Sequence, residues 1–209
     1  MVKEAPEVAV SRLRKLHGVQ GLVQRALLVM LPLLAVWTVV DPLTYIGVTL
    51  VREQYLGLFL GLGLGAAFLA FPASKRGPWD KVPWYDLLTG LAGMAAGVYL
   101  LVEFPALMFT GNPTPTALVL GVVAIAVVLE AVRRVVGWPL LVLVAFFFFY
   151  ALYSHLFPGL FGSRGWSWER LIFFSFTDSN SLLGLPLAIG ATMVAAFILF
   201  GEILFTTGG

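Results

Sequence analysis

The chain has 209 residues, of which 60% are hydrophobic and 11% charged, with a net charge of +2 and a mean hydropathy of +0.95. Soluble domains carry about 25% charged and about 45–50% apolar residues, so this composition excludes a water-covered globule and makes lipid the solvent of the outer surface. The charge is too small to suggest nucleic acid, and the absence of cysteine excludes disulfides, thiol catalysis and Cys-based metal sites.

Residues 1–23 read as a cytoplasmic, amphipathic N-terminal segment, with Lys3, Arg12, Arg14 and Lys15 on a short surface helix. A basic start followed by an apolar run also opens a signal peptide, but this run ends in Trp37, Asp41 and Pro42 without an Ala-x-Ala-like cleavage site. Crossing the hydrocarbon core takes roughly 20 helical residues. Segments 24–43, 54–72, 84–104, 116–136, 138–157 and 184–206 qualify, predicting an all-α integral membrane protein of six transmembrane helices. Continuous apolar runs without strict alternation favour helices over barrel strands.

Pro32 predicts a kink in the first span. Breakers and charges fill the connections 73–83 and 105–115, and Gly137 with Pro139 marks a tight break between the fourth and fifth spans. The segment 158–183 is too polar to span. Ser167 can cap a helix with Glu169 in its first turn, and the aromatic residues that follow predict a short interfacial helix near 167–177. The cluster Asp178, Ser179, Asn180 and Ser181 reads as a turn or cap rather than an ion site.

Lys and Arg collect on cytoplasmic loops. With the N-terminus inside, ten of the 13 basic residues fall on the cytoplasmic side, and only Arg52, Arg164 and Arg170 fall outside. Trp79, Trp84 and Tyr85, Trp138, and Trp166 with Trp168 fall at the ends of the spans, where amphipathic rings prefer to sit.

Lipid tails are as apolar as leucine, so close backbone approach must join the spans. Gly57, Gly61 and Gly65 make one smooth face of the second span; Gly93 and Gly97 do the same for the third, with Gly90 nearby. Ala188, Ala191, Ala195 and Ala196 offer small residues on the last. Glu130 precedes Arg133 and Arg134 by three and four residues, which suits ion pairing on one helix face. With Trp138 they read as a helix anchor whose arginines reach toward the headgroups, or as a contact to a partner helix or lipid phosphate. Glu202 lies inside the end of the last span, while Asp41 and Glu103 lie near the outer ends of theirs.

Enzyme signatures do not appear: the sequence has no GxSxG elbow, HExxH pair, P-loop or dinucleotide fingerprint. His17 and His155 fall on opposite sides of the membrane in this topology and cannot share a metal or haem. No cofactor is expected, and the chain is read as a non-enzyme.

The stretches VPWYDLL (82–88), GNPTPT (111–116), LEAVRRVVGW (129–138), FYALYSHLFPGLFGSRGWSWERL (149–171), LLGLPLAIGATM (182–193) and FILFGEILFTTGG (197–209) follow one another in order. This succession resembles the N-terminal part of the fused permeases of TRAP transporters, the tripartite ATP-independent periplasmic transporters. The likeness covers residues 70–209 by motif and 1–69 by pattern. Glu202 stands where that family more often has a small residue.

The resemblance implies a four-helix small-subunit-like scaffold at 24–136, a connecting transmembrane helix at 138–157 and a periplasmic interfacial segment at 158–183. Residues 184–209 would hold the first helix of a large-subunit-like domain, making the chain a truncated piece or one half of a split permease. It further implies a bacterial inner-membrane secondary transporter for organic acids, coupled to sodium and served by a periplasmic substrate-binding protein. The substrate and sodium sites would lie in the larger membrane domain, outside this chain. The alternatives are a self-contained small membrane carrier and a structural subunit of another membrane complex.

Overall fold

The computed structural model describes Arg14 and residues 16–73, 81–158, 162 and 164–208. The described residues form helices joined by short turns, with no strand among them. Six helices are long and apolar enough to cross a membrane: α1 (Gly18–Val40), α2 (Arg52–Ala70), α3 (Trp84–Thr110), α4 (Pro115–Val135), α5 (Trp138–Tyr153, extended by a 3-10 turn to Leu156) and α7 (Leu185–Thr207). The short α6 (Trp168–Thr177) precedes α7. The protein is an all-α, multi-pass membrane protein.

The expected surface helix at the N-terminus lies largely outside the described residues, as do Lys75, Arg76 and Trp79 of the first basic connection. Where residues 18–23 are described they belong to α1, which begins six residues earlier than predicted. Too few charges interrupt this stretch to separate a surface helix from the span.

The larger departure concerns α3, predicted to end at 104 but continuing through Pro105 to Thr110. Proline lacks the N–H that would reach the carbonyl four residues back, here that of Leu101. The Gln54 side-chain amide of α2 donates to that same Leu101 oxygen. Gln54 is buried, and its own side-chain oxygen accepts from the Val51 backbone N–H at 2.9 Å, closing the start of α2. One side chain therefore caps one helix and repairs the next, and α3 runs on to Gly111, whose φ of +61° ends it in a left-handed turn.

α2 and α3 form the centre of the bundle, and glycine sets their separation. A Cβ on Gly97 would sit 2.5 Å from the Gly57 carbonyl oxygen and 2.8 Å from the Gly61 Cα. A Cβ on Gly61 would meet the Gly97 Cα at 3.1 Å, and one on Gly93 would meet the Leu64 Cβ at 2.9 Å. Gly65 faces Met94, and Gly90 has ordinary room beside Phe68. The backbones touch, which is how helices gain dispersion energy in lipid. Gly121 of α4 admits α6 in the same way, with Ile172 and Phe176 against it. The main core joins Leu56, Leu100, Phe104 and Ala124 to Phe176, Leu183, Ala188 and Ala191. α6 is thus seated on the bundle through its apolar side.

By contrast, the α-helical part of α5, Trp138–Tyr153, has no buried residue. The last half of α7 also exposes large side chains around its surface, including Phe197, Ile198, Phe200 and Phe205. Between Leu185–Ile189 and Ala195–Thr207, α7 contains one π-helical turn at Gly190–Val194. There the Thr192 hydroxyl donates to the Ala188 carbonyl at 2.8 Å, competing with the regular backbone pairing.

Candidate functional site

Five charged residues gather at one end of the bundle, around the C-terminus of α2. The last carbonyls of a helix have no intrahelical donors and carry the negative end of its dipole. Arginines meet them here. Arg14 donates from Nη1 to the Phe68 carbonyl at 3.1 Å and from its backbone N–H to Ala70 at 2.9 Å. Just past the helix end, Arg134 donates to the Phe71 carbonyl at 3.2 Å, and Arg133 to Ala73 at 3.3 Å.

Asp86 lies between two of these guanidiniums. It is the third residue of α3, where the positive end of a helix dipole favours a carboxylate. Its Oδ2 accepts from Arg14 Nη2 at 2.5 Å, and both side chains are fully buried. Its Oδ1 is 2.7 Å from Arg134 Nη1, a contact that is ionic but off the hydrogen-bond axis. The Arg134 guanidinium also lies 4.5 Å from the centre of the Phe68 ring.

Glu130 completes the group. Arg133 grips it with Nε and Nη2, both at 2.6 Å, while Arg134 Nε reaches it at 2.7 Å. The chain of charges therefore runs Arg14, Asp86, Arg134, Glu130, Arg133, from the sealed interior to the surface. Arg133 is a quarter exposed and stands 5.8 Å over the Trp138 ring of α5.

This arrangement changes the reading of the α4 terminus. Glu130, Arg133, Arg134 and Trp138 do come together as expected. However, the Arg134 side chain is only 4% exposed and turns inward onto Asp86 instead of reaching for headgroups. The buried carboxylate, unnoticed in the sequence, draws it there. A carboxylate in the first turn of an apolar helix, on the arginine-rich side, was the available signal.

A polar set also occupies the opposite end. Asp41 closes α1 with a left-handed backbone (φ 41°), accepts from the Thr44 hydroxyl at 2.5 Å and from the Tyr55 hydroxyl at 2.8 Å. These bonds, Thr44 first, hold its carboxyl below the ordinary value of 3.8. Asp178–Ser181 forms a turn in which Asp178 accepts from the Asn180 N–H and Ser179 donates to Glu53 of α2 at 2.8 Å. Ser167 sits at the α6 N-cap position without a side-chain cap. His17 precedes α1 and His155 lies in the 3-10 turn that closes α5, at opposite ends. Glu103 and Glu202 are exposed and make no side-chain hydrogen bond or ion pair among the described residues. Among those residues, no group of three or more His, Asp or Glu could hold a metal ion.

No protein-family model matches this chain, and no curated protein or solved structure matches it at a significant level. The arrangement speaks through its own chemistry. Both carboxylates are already engaged by guanidiniums, and the interior arginines by carboxylates and helix carbonyls. Such a network fixes the relative positions of α2, α3, α4 and the segment before α1.

Proposed function

We propose that this chain is the scaffold part of a membrane permease, in a TRAP-type secondary transporter for organic acids. It would sit in a bacterial inner membrane with the arginine-rich end in the cytoplasm. A larger membrane domain and a periplasmic substrate-binding protein would be its partners, and sodium and substrate would bind in that larger domain.

The observation that carries this reading is the double locking of the bundle. A glycine seam joins α2 to α3 along their length, and the Arg14–Asp86–Arg134 network ties their end to α4. An element that must stay still while a neighbour slides needs such internal rigidity. It also needs a surface to offer, and α5 with the last half of α7 exposes large apolar side chains around its length. The order of motifs along residues 70–209 and the basic-residue asymmetry support the same assignment.

Reconstitution into proteoliposomes tests it. The chain is combined with a TRAP-type large membrane domain and a matching binding protein, and organic-acid uptake is driven by a sodium gradient. Uptake should require every component. Uptake by this chain alone would support a self-contained carrier instead.

A further inference from the structure

We propose that the groove between α4 and α5 binds a membrane phospholipid, with one acyl chain between the helices and the phosphate on Arg133. The groove has a volume of about 400 Å³. Its walls include Ile125, Val128 and Val132 of α4 and Ala145 and Phe148 of α5. Its polar edge is closed, because the Ser181 hydroxyl donates to the Ser175 carbonyl at 2.9 Å.

Chemistry selects the occupant. Liquid water takes about 30 Å³ per molecule and each buried water needs two or more polar partners, which these walls do not supply. From Ile125 to Val132 the groove follows α4 for about 10.5 Å. An apolar slot of that length takes a hydrocarbon chain, and the charge at its end decides for a phospholipid.

The charged end supplies the rest. Val144 lies about 9 Å along α5 from Trp138, and Arg133 stands over the Trp138 ring at the junction of the two helices. Glu130 occupies Nε and Nη2 of Arg133, and Ala73 shares Nη2. Its Nη1 has no partner among the described residues, and the side chain is a quarter exposed. A guanidinium N–H with no partner among the described residues, beside an exposed indole, suits a phosphate at the headgroup level. The proposal concerns this groove alone and does not depend on the transporter assignment.

The test uses the purified full chain, delipidated in detergent and titrated with phosphatidylglycerol or with diacylglycerol, which lacks the phosphate, under native mass spectrometry. Phosphatidylglycerol should bind about tenfold more tightly than diacylglycerol. Arg133→Gln should erase that preference, and Ala145→Phe, which fills the groove, should weaken both lipids. Val119→Phe, on an exposed part of α4, should change neither. Helical content and melting temperature identify any misfolded variant, in which case Val144→Phe serves as the second groove-filling change. Equal binding of the two lipids, or phosphatidylglycerol binding unaffected by filling the groove, would overturn the proposal.

Discussion

The Gln54 amide bonds the Leu101 carbonyl that Pro105 leaves without its helical donor. Gln54→Leu should strand that carbonyl in the bundle and cost about 1–3 kcal/mol. Pro105→Ala restores the missing N–H, so the same Gln54 change should cost less in that background. A double-mutant cycle on thermal unfolding in detergent measures the coupling. Additive effects would show that the two residues do not share the carbonyl.

The buried ion pair predicts an asymmetry between breaking and replacing it. Asp86→Asn leaves Arg14 and Arg134 facing each other with no carboxylate between them, Glu130 still holding Arg134 from the other side, and should destabilise by about 3–5 kcal/mol. The double change Arg14→Met with Asp86→Asn removes one of the stranded cations and should melt higher than Asp86→Asn alone. A double variant that melts lower would mean that Arg14 stabilises mainly through the Phe68 and Ala70 carbonyls.

The glycine seam predicts a graded response. Gly97→Ala drives a Cβ to 2.5 Å from the Gly57 carbonyl, a backbone atom that cannot step aside. The helices must separate, and the expected cost is about 1–3 kcal/mol, as for overpacking. Gly63→Ala meets nothing within 4 Å and should be neutral or slightly stabilising through its helix propensity. Thermal unfolding of the two variants, measured side by side, separates seam from surface.

Asp41 predicts an acid-side effect. Its carboxyl is held below 3.8 by hydrogen bonds from Thr44 and then Tyr55. The stabilisation it gives is fully present above the unfolded-state value and is lost as pH falls through the lowered folded-state value. Tyr55→Phe removes one donor and should raise the Asp41 midpoint toward 3.8, as read by carboxyl-carbon NMR during an acid titration.

Much of this fold was legible because lipid simplifies the reading. A span needs length and greasiness, and the six long helices declare both. The glycines were legible through their four-residue spacing, which puts Gly57, Gly61 and Gly65 on one stripe. Two kinds of feature were not. Pro105 reads as a terminator, since the carbonyl it strands, that of Leu101, is rescued by Gln54, 47 residues before Leu101 in the chain and on another helix. Asp86 stands in the sequence as one polar residue beside the aromatics Trp84 and Tyr85. Its partners, Arg14 and Arg134, lie 72 residues before it and 48 after it, and only the packed bundle brings them together. The π-helical turn of α7 has no period that a sequence scan detects.

The account rests on a bundle that crosses the membrane with its arginine network on the cytoplasmic side. Because the chain has no cysteine, single labels can be placed without background. Tyr45→Cys marks the end opposite the network and Lys81→Cys marks the network end, and both native side chains are exposed. In intact bacterial cells with a permeable outer membrane, a thiol reagent that cannot cross the inner membrane should label Tyr45→Cys at once. It should reach Lys81→Cys only after the inner membrane is opened. The reverse pattern, or labelling of both positions in intact cells, would contradict the account.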